Sequence, residues 1–307
     1  MLIDRLIKKI TELSAPIVVG LDPRLDQIPS YMKEEFFSKH GHTPHAVAEI
    51  LIKFNQQIID QIHDIAPAVK PQIAMYEQFG APGIEAYLQT ISYAKSKGLI
   101  VIGDIKRGDI ASTAEAYSNM HIGRVDICGE SVEISQTDFI TINSYMGYDS
   151  VEPYLSDCKE YDKGLFILVK TSNKGSKDVQ DVKLATSHSL YAHVGGLVED
   201  WGKDFIGEYG YSNIGAVVGA THPQEAVELR KQMPHTFFLV PGYGAQGGSG
   251  KDLQDLWAKN YGAIVNNSRG ITGAHLTEKY KCDERDFAKA SRQAVLDMKK
   301  DLEAYMP

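Results

Sequence analysis

Eight short and nearly continuous apolar runs recur along the 307 residues, and their spacing limits the architecture more than any other feature. They fall at 17–21, 68–74, 99–103, 139–142, 165–169, 214–218, 237–240 and 263–265, and each ends in polar or charged residues. A run that is apolar at consecutive positions has no face left for water, so as a strand it must be covered on both sides. Amphipathic stretches of helical period lie between the runs, at 47–65, 83–97, 224–231 and 252–258, with another at 286–305. Strands alternating with helices predict a parallel sheet under a helical layer, and eight units predict closure into an α/β (β/α)8 TIM barrel. A doubly wound open sheet fits less well. No GxGxxG follows the first run, and polar clusters follow nearly every run instead of gathering at one switch point.

Barrels of this class reach roughly 200–250 residues or more as one unit, so a single domain over 1–307 is expected. Leu2, Ile3, Leu6, Ile7, Ile10 and Leu13 repeat at helical spacing with charged residues between them. The acidic members of that segment favour an N-terminal helix packed on the fold over a membrane-surface helix or transit peptide. The irregular stretches 123–137 and 172–183 read as extended barrel loops or insertions.

A net charge of −8 argues against a general nucleic-acid binder, because that affinity comes from clustered Lys and Arg. No apolar run approaches the roughly 18–20 residues of a membrane span. Cys128, Cys158 and Cys282 are odd in number and lack CxxC spacing, which suits neither a disulfide framework nor a zinc site and points to a reducing, cytoplasmic compartment. Cys128 and Cys158 are expected to be small buried hydrophobes. His40, His42 and His45 stand close together, yet lack a partner set with ligand spacing and read as a solvated loop; no metal site is expected.

Catalytic groups of a (β/α)8 barrel come from the carboxyl ends of its strands. Here Asp22 follows the first run, Lys70 lies in the second, Asp104 and Lys106 end the third, and Lys170 with Ser172 follows the fifth. Residues two apart on a strand share a face, so Asp104 and Lys106 are expected at the barrel mouth, with Ile105 toward the helices and Asp109 on the loop. A lysine between carboxylates is held protonated and is suited to donate a proton. A salt-bridged strand end is the plain alternative, but Lys70 and Asp22 on neighbouring strands extend the pair into an alternating row of charge, and such density at a pocket marks function.

After the seventh run comes Pro241-Gly242-Tyr243-Gly244-Ala245-Gln246-Gly247-Gly248-Ser249-Gly250, and after the eighth Asn266-Asn267-Ser268-Arg269-Gly270. Loops seven and eight commonly bind phosphate in this fold. Glycines such as Gly248 admit close backbone approach, a following helix N-terminus adds its dipole, and Arg269 can grip phosphate with two hydrogen bonds.

With these residues in view, the chain resembles the orotidine 5′-phosphate decarboxylase family over nearly its whole length, in its longer, type 2 branch. Asp104-Ile105-Lys106-Arg107-Gly108-Asp109-Ile110 is similar to the family's DxKxxD motif, with Thr113 at the position of an additional family threonine. Val19-Gly20-Leu21-Asp22-Pro23, Lys70-Pro71-Gln72, Val218-Gly219-Ala220-Thr221, Val240-Pro241-Gly242-Tyr243-Gly244 and Asn267-Ser268-Arg269 follow in the family's order. The resemblance implies conversion of orotidine 5′-phosphate to UMP and CO2, without a cofactor, in pyrimidine nucleotide synthesis. It implies that Asp22 and Lys70 contact the ribose and the charge network, that Asp104 lies beside the substrate carboxylate, and that Lys106 protonates C6. It further implies a homodimer in which Asp109 and Thr113 reach the neighbouring site, with Ser172 at the pyrimidine, Gln246 in the loop over the phosphate, and Arg269 on the phosphate.

Three competing readings follow from the same residues. Sugar-phosphate decarboxylases and hexulose-phosphate synthases share DxKxxD but hold a metal partly through a Glu on strand two, where this chain has Lys70. A Schiff-base aldolase would need a lysine of depressed pKa at Lys106 or Lys170, and the carboxylates around Lys106 push the other way. A non-catalytic nucleotide-binding barrel would not require the full charged row.

Overall fold

The computed structural model describes residues 1–244, 247–257 and 261–306. The eight runs form eight strands: β1 (Ile17–Leu21), β2 (Ala68–Pro71), β3 (Ile100–Arg107), β4 (Phe139–Ile142), β5 (Gly164–Lys170), β6 (Ser212–Val218), β7 (Thr236–Val240) and β8 (Ala263–Asn267). They close in chain order, each strand parallel to the next, and β8 returns to β1 through the register Ile17↔Val265.

Alternation along each strand explains why the runs are apolar throughout. Val18, Ala68, Ile100, Ile102, Phe139, Phe166, Phe237, Leu239 and Ile264 fill the barrel interior. Their neighbours Ile17, Val19, Val69, Val101, Ile140, Leu165, Phe238 and Val265 pack outward under the helices.

The N-terminal segment forms α1 (Leu2–Leu13), and its apolar stripe of Leu2, Ile3, Leu6, Ile7 and Ile10 is wholly buried against the interior residues. Two of its otherwise unpaired N-terminal amides are satisfied from the amino ends of strands: Leu2 N donates to Asp162 Oδ1 at 2.8 Å and Ile3 N to Asn213 Oδ1 at 2.8 Å. The helix therefore plugs the end of the barrel opposite the strand carboxyl termini, and its apolar face is used in the protein's own core. No helix among the described residues is long and apolar enough to cross a membrane. Ile7→Ala is expected to cost about 2–5 kcal/mol of unfolding free energy in urea, as deletion of a core side chain does; a change under half a kcal/mol would show that the plug is dispensable.

Several local expectations need correction. The stretch 68–74 is strand only to Pro71, with one further parallel bridge from Gln72 to Asp104, and a short helix Ala74–Glu77 follows. The stretch 123–137 holds an antiparallel hairpin, Val125–Ile127 with Glu130–Val132, turned by Cys128 and Gly129 at φ 54° and 94°. Cys128 is thus exposed at a hairpin tip, not buried, whereas Cys158 is buried. The region 252–258 is a 3-10 segment, Lys251–Leu256, with Ala258 outside the described residues. Of the three histidines, exposed His42 lies in the loop as expected, but His40 ends α2 (Ser30–His40) and His45 lies in the first turn of α3 (Pro44–Ile62), which Thr43 caps by accepting a hydrogen bond from Ala46 N.

Candidate active site

A cavity of about 590 Å³ opens at the carboxyl ends of the strands. Asp22 enters it just beyond β1, Lys70 from β2, Asp104 and Lys106 from β3, and Thr141 from β4. Asp104 is the hub. Its Oδ2 lies 2.5 Å from Lys70 Nζ, and its Oδ1 lies 2.5 Å from Lys106 Nζ and accepts from Thr141 Oγ1 at 2.9 Å. Lys70 and Asp104 are only 4% and 5% exposed, so neither charge has water to lean on. Burial alone would raise the Asp104 carboxyl, but the Lys70 and Lys106 ammonium groups hold it well below the usual carboxylate range. Burial pushes Lys70 down, and the carboxylates of Asp104 and Asp22 more than reverse this, so its pKa is raised.

Lys106 reaches the mouth for a reason that strand alternation does not supply. Its φ is 47°, in the left-handed region, and the β3–β4 register shifts between Gly103 and Arg107. This bulge re-aims the side chain, and Thr141 holds it in place by accepting the Lys106 backbone N–H at 3.0 Å. Ile105 turns to the outer core as expected.

On the cavity wall beyond β8, next to β1, Arg269 is exposed and pairs with no carboxylate among the described residues. It begins a helix of only four residues, Arg269–Thr272, so the helix dipole expected there is largely missing and the guanidinium is the main positive charge. Gly20 matters to this wall because a Cβ there would lie 1.9 Å from Ser268 Oγ, so only glycine lets the first and eighth strand ends approach. Gly248 does not line the cavity; its N–H donates to Gly242 O and its carbonyl accepts from Gly244 N, so it zips the loop together. Gln246 lies outside the described residues.

Ser172 lines the cavity with Asn173 and Gln180, and Leu168, Val217 and Leu239 form its apolar wall. Charged and polar groups thus face an apolar slot, which suits a flat ring carrying polar substituents. Two buried lining atoms, Asp22 Oδ1 and Asn266 Oδ1, have no hydrogen-bond partner. Buried polar atoms are rarely left so.

Thr141, Gln180 and Asn266 were missed as site residues by sequence reasoning. Asn266 had a signal, since it is two residues beyond the interior Ile264 and shares its face. Gln180 had none, because it reaches the site only through a folded-back loop in which its side chain bonds both Thr171 N and Thr171 Oγ1.

Lys170 is not brought into the site. It is fully buried, pairs with Asp181 and lies 4.8 Å from the centre of the Tyr191 ring. Asp109 and Thr113 also stay off this cavity. Asp109 sits beside Ile110, which is 54% exposed, on a loop that leaves β3 next to Asn143, whose N–H donates to Arg107 O.

Comparison with known proteins bears on the whole chain. The curated orotidine 5′-phosphate decarboxylase of Clostridium tetani (strain Massachusetts / E88) is 44% identical over 303 residues, covering 98% of this chain and 98% of that protein. That of Petrotoga mobilis (strain DSM 10674 / SJ95) is 43% identical over 305 residues, covering 99% of each. Among solved structures, Leishmania donovani OMP decarboxylase superposes with a TM-score of 0.70 at 30% identity, covering 97% of this chain and 98% of that one. Leishmania donovani UMP synthase superposes with a TM-score of 0.71 at 32% identity, and this chain spans 56% of its length. A family model matches residues 16–281, and with it the strands, the charged row and the arginine after β8 fall into one place: the chain belongs to the Orotidine 5′-phosphate decarboxylase / HUMPS family.

Proposed function

We propose that this protein decarboxylates orotidine 5′-phosphate to UMP and CO2 without a cofactor, as a step of pyrimidine nucleotide synthesis. The observation that carries the reading is the Lys70–Asp104–Lys106 row, in which one buried carboxylate is held between two ammonium groups at 2.5 Å each. Asp104 stands beside the substrate carboxylate and favours its departure as neutral CO2. The C6–carboxyl bond breaks, its electron pair stays at C6, and Lys106 transfers a proton from Nζ to C6, to be reprotonated from solvent. A preplaced ammonium stabilises the developing carbanion without reorganisation, which is the contribution that a cofactor-free site must make. Arg269 binds the phosphate, Ser172 meets the pyrimidine, and Asp22 with Lys70 meets the ribose, supplying remote binding energy that aligns the base.

Lys70 also separates this reading from the metal-dependent sugar-phosphate branch of the family, because its ammonium occupies the Asp104 oxygen that a cation would need. The test is the absorbance change of orotidine 5′-phosphate in excess EDTA with wild type and Lys106→Ala. Conversion by wild type alone supports the reading, and dependence on added metal with a sugar phosphate as substrate overturns it.

The reading includes a homodimer, one 1–307 domain per protomer, with Asp109 and Thr113 completing the partner's site. Support comes from exposed apolar side chains on the loops after β3 and β4, where Ile110, Tyr145 and Met146 are 54%, 83% and 47% exposed. It also includes a cytoplasmic location, which the three free cysteines suit. In a symmetric dimer with shared sites, mixing inactive Lys106→Ala with inactive Asp109→Ala restores one of four sites, so activity returns to about a quarter of wild type. No recovery in subunits shown to exchange would place Asp109 within its own protomer's site.

A further inference from the structure

We propose that His40, His45 and Glu49 form a surface site for a divalent transition cation of the Zn²⁺ type, joining α2 to α3 outside the catalytic cavity. His40 Nε2 lies 3.0 Å from Glu49 Oε2, His45 Nε2 lies 3.7 Å from Glu49 Oε1, and one donor atom from each of the three residues falls within 4.8 Å of the others. Bonds of ~2.0–2.1 Å at tetrahedral angles put ligand atoms about 3.3 Å apart, so the observed separations bracket what such a cation requires. Small side-chain rotations close the remainder.

The donors are set by rigid elements. His45 and Glu49 are four residues apart on one face of α3, whose start is fixed by the Thr43 cap and Pro44. His40 is the last residue of α2, and the three residues between the helices begin with Gly41 at φ 67°. The two imidazoles meet edge to face with centroids 5.4 Å apart, so both are already directed at the same carboxylate.

Two imidazoles and one carboxylate select Zn²⁺, Co²⁺, Ni²⁺ or Cu²⁺ over Mg²⁺ and Ca²⁺, which favour all-oxygen sets. All three side chains are at least a third exposed, leaving room for water at the fourth position. None of the three lines the catalytic cavity, so the site acts on the helix pair and not on the chemistry.

The test is titration of the full chain with Co²⁺, read by visible absorption, and with Zn²⁺, read by thermal shift, with Mg²⁺ as control. One equivalent of Co²⁺ should give the intense spectrum of a four-coordinate ion, and Zn²⁺ but not Mg²⁺ should raise Tm. His40→Ala, His45→Ala and Glu49→Gln should each weaken binding by about tenfold or more while turnover without metal is unchanged. Absence of one-to-one binding, or binding that all three variants retain, overturns the site; the chain has ten histidines, so the variants decide where any bound ion sits.

Discussion

Lys106→Ala is expected to fold, to bind orotidine 5′-phosphate with little change in KM, and to lose ~10²–10³-fold in kcat, by analogy with removal of one preorganised charge-stabilising donor. The fold should survive because the Lys106 side chain is 45% exposed and Asp104 keeps Lys70 and Thr141 as partners. The loss should fall on kcat because the ammonium interacts with charge that appears only as the carboxyl group leaves. Lys106→Arg divides the role further. A guanidinium retains positive charge but does not give up a proton, so it should recover a part of the electrostatic effect and little of the protonation. The measurement is the absorbance-based kcat and KM of the three proteins. Near-normal turnover by the alanine variant would remove Lys106 from the mechanism and leave the charged row as a salt-bridged strand end.

The barrel was legible because its signal is repeated. Each run is apolar at consecutive positions, and the structure splits those positions between an interior layer such as Ala68 and Ile100 and an outer layer such as Val69 and Val101. The same parity brought Lys70 and Asp104 into view and would have brought Asn266. It could not explain Lys106, since a bulge and a left-handed φ break the alternation there, and neither follows from a lysine in a charged segment. Thr141 was hidden inside an apolar run, where a lone threonine reads as an ordinary strand residue. The loops were least legible, because their conformation depends on contacts made elsewhere. Gln180 is placed by Thr171, Cys128 by a hairpin turn, and Gly248 by Gly242 and Gly244. The roles of Asp109 and Thr113 came only from family resemblance, and a dimer contact leaves no periodicity within one chain.

Asp104→Ala is expected to abolish turnover and to cost about 3–5 kcal/mol of stability at pH 7, because removing one partner leaves a buried charge uncompensated. That charge is Lys70, which is 4% exposed and would retain only Asp22. The pH dependence makes this specific. In wild type the lowered pKa of Asp104 contributes stability that is present above the unfolded carboxylate value of ~3.9 and is lost as pH falls through the folded value. The raised pKa of Lys70 contributes stability that is present below the unfolded lysine value of ~10.4 and is lost as pH rises through the folded value. Between those limits the pair adds a constant amount. Without Asp104, burial becomes the dominant influence on Lys70 and drives its pKa below the unfolded value. The unfolded chain then binds the extra proton, so the variant gains stability as pH rises toward ~10. Urea unfolding of wild type and Asp104→Ala at pH 7 and pH 9.5 should therefore show the gap narrowing at the higher pH. A gap that stays constant would mean that Lys70 finds another counter-charge once Asp104 is gone, and that the row is less interdependent than its 2.5 Å contacts imply.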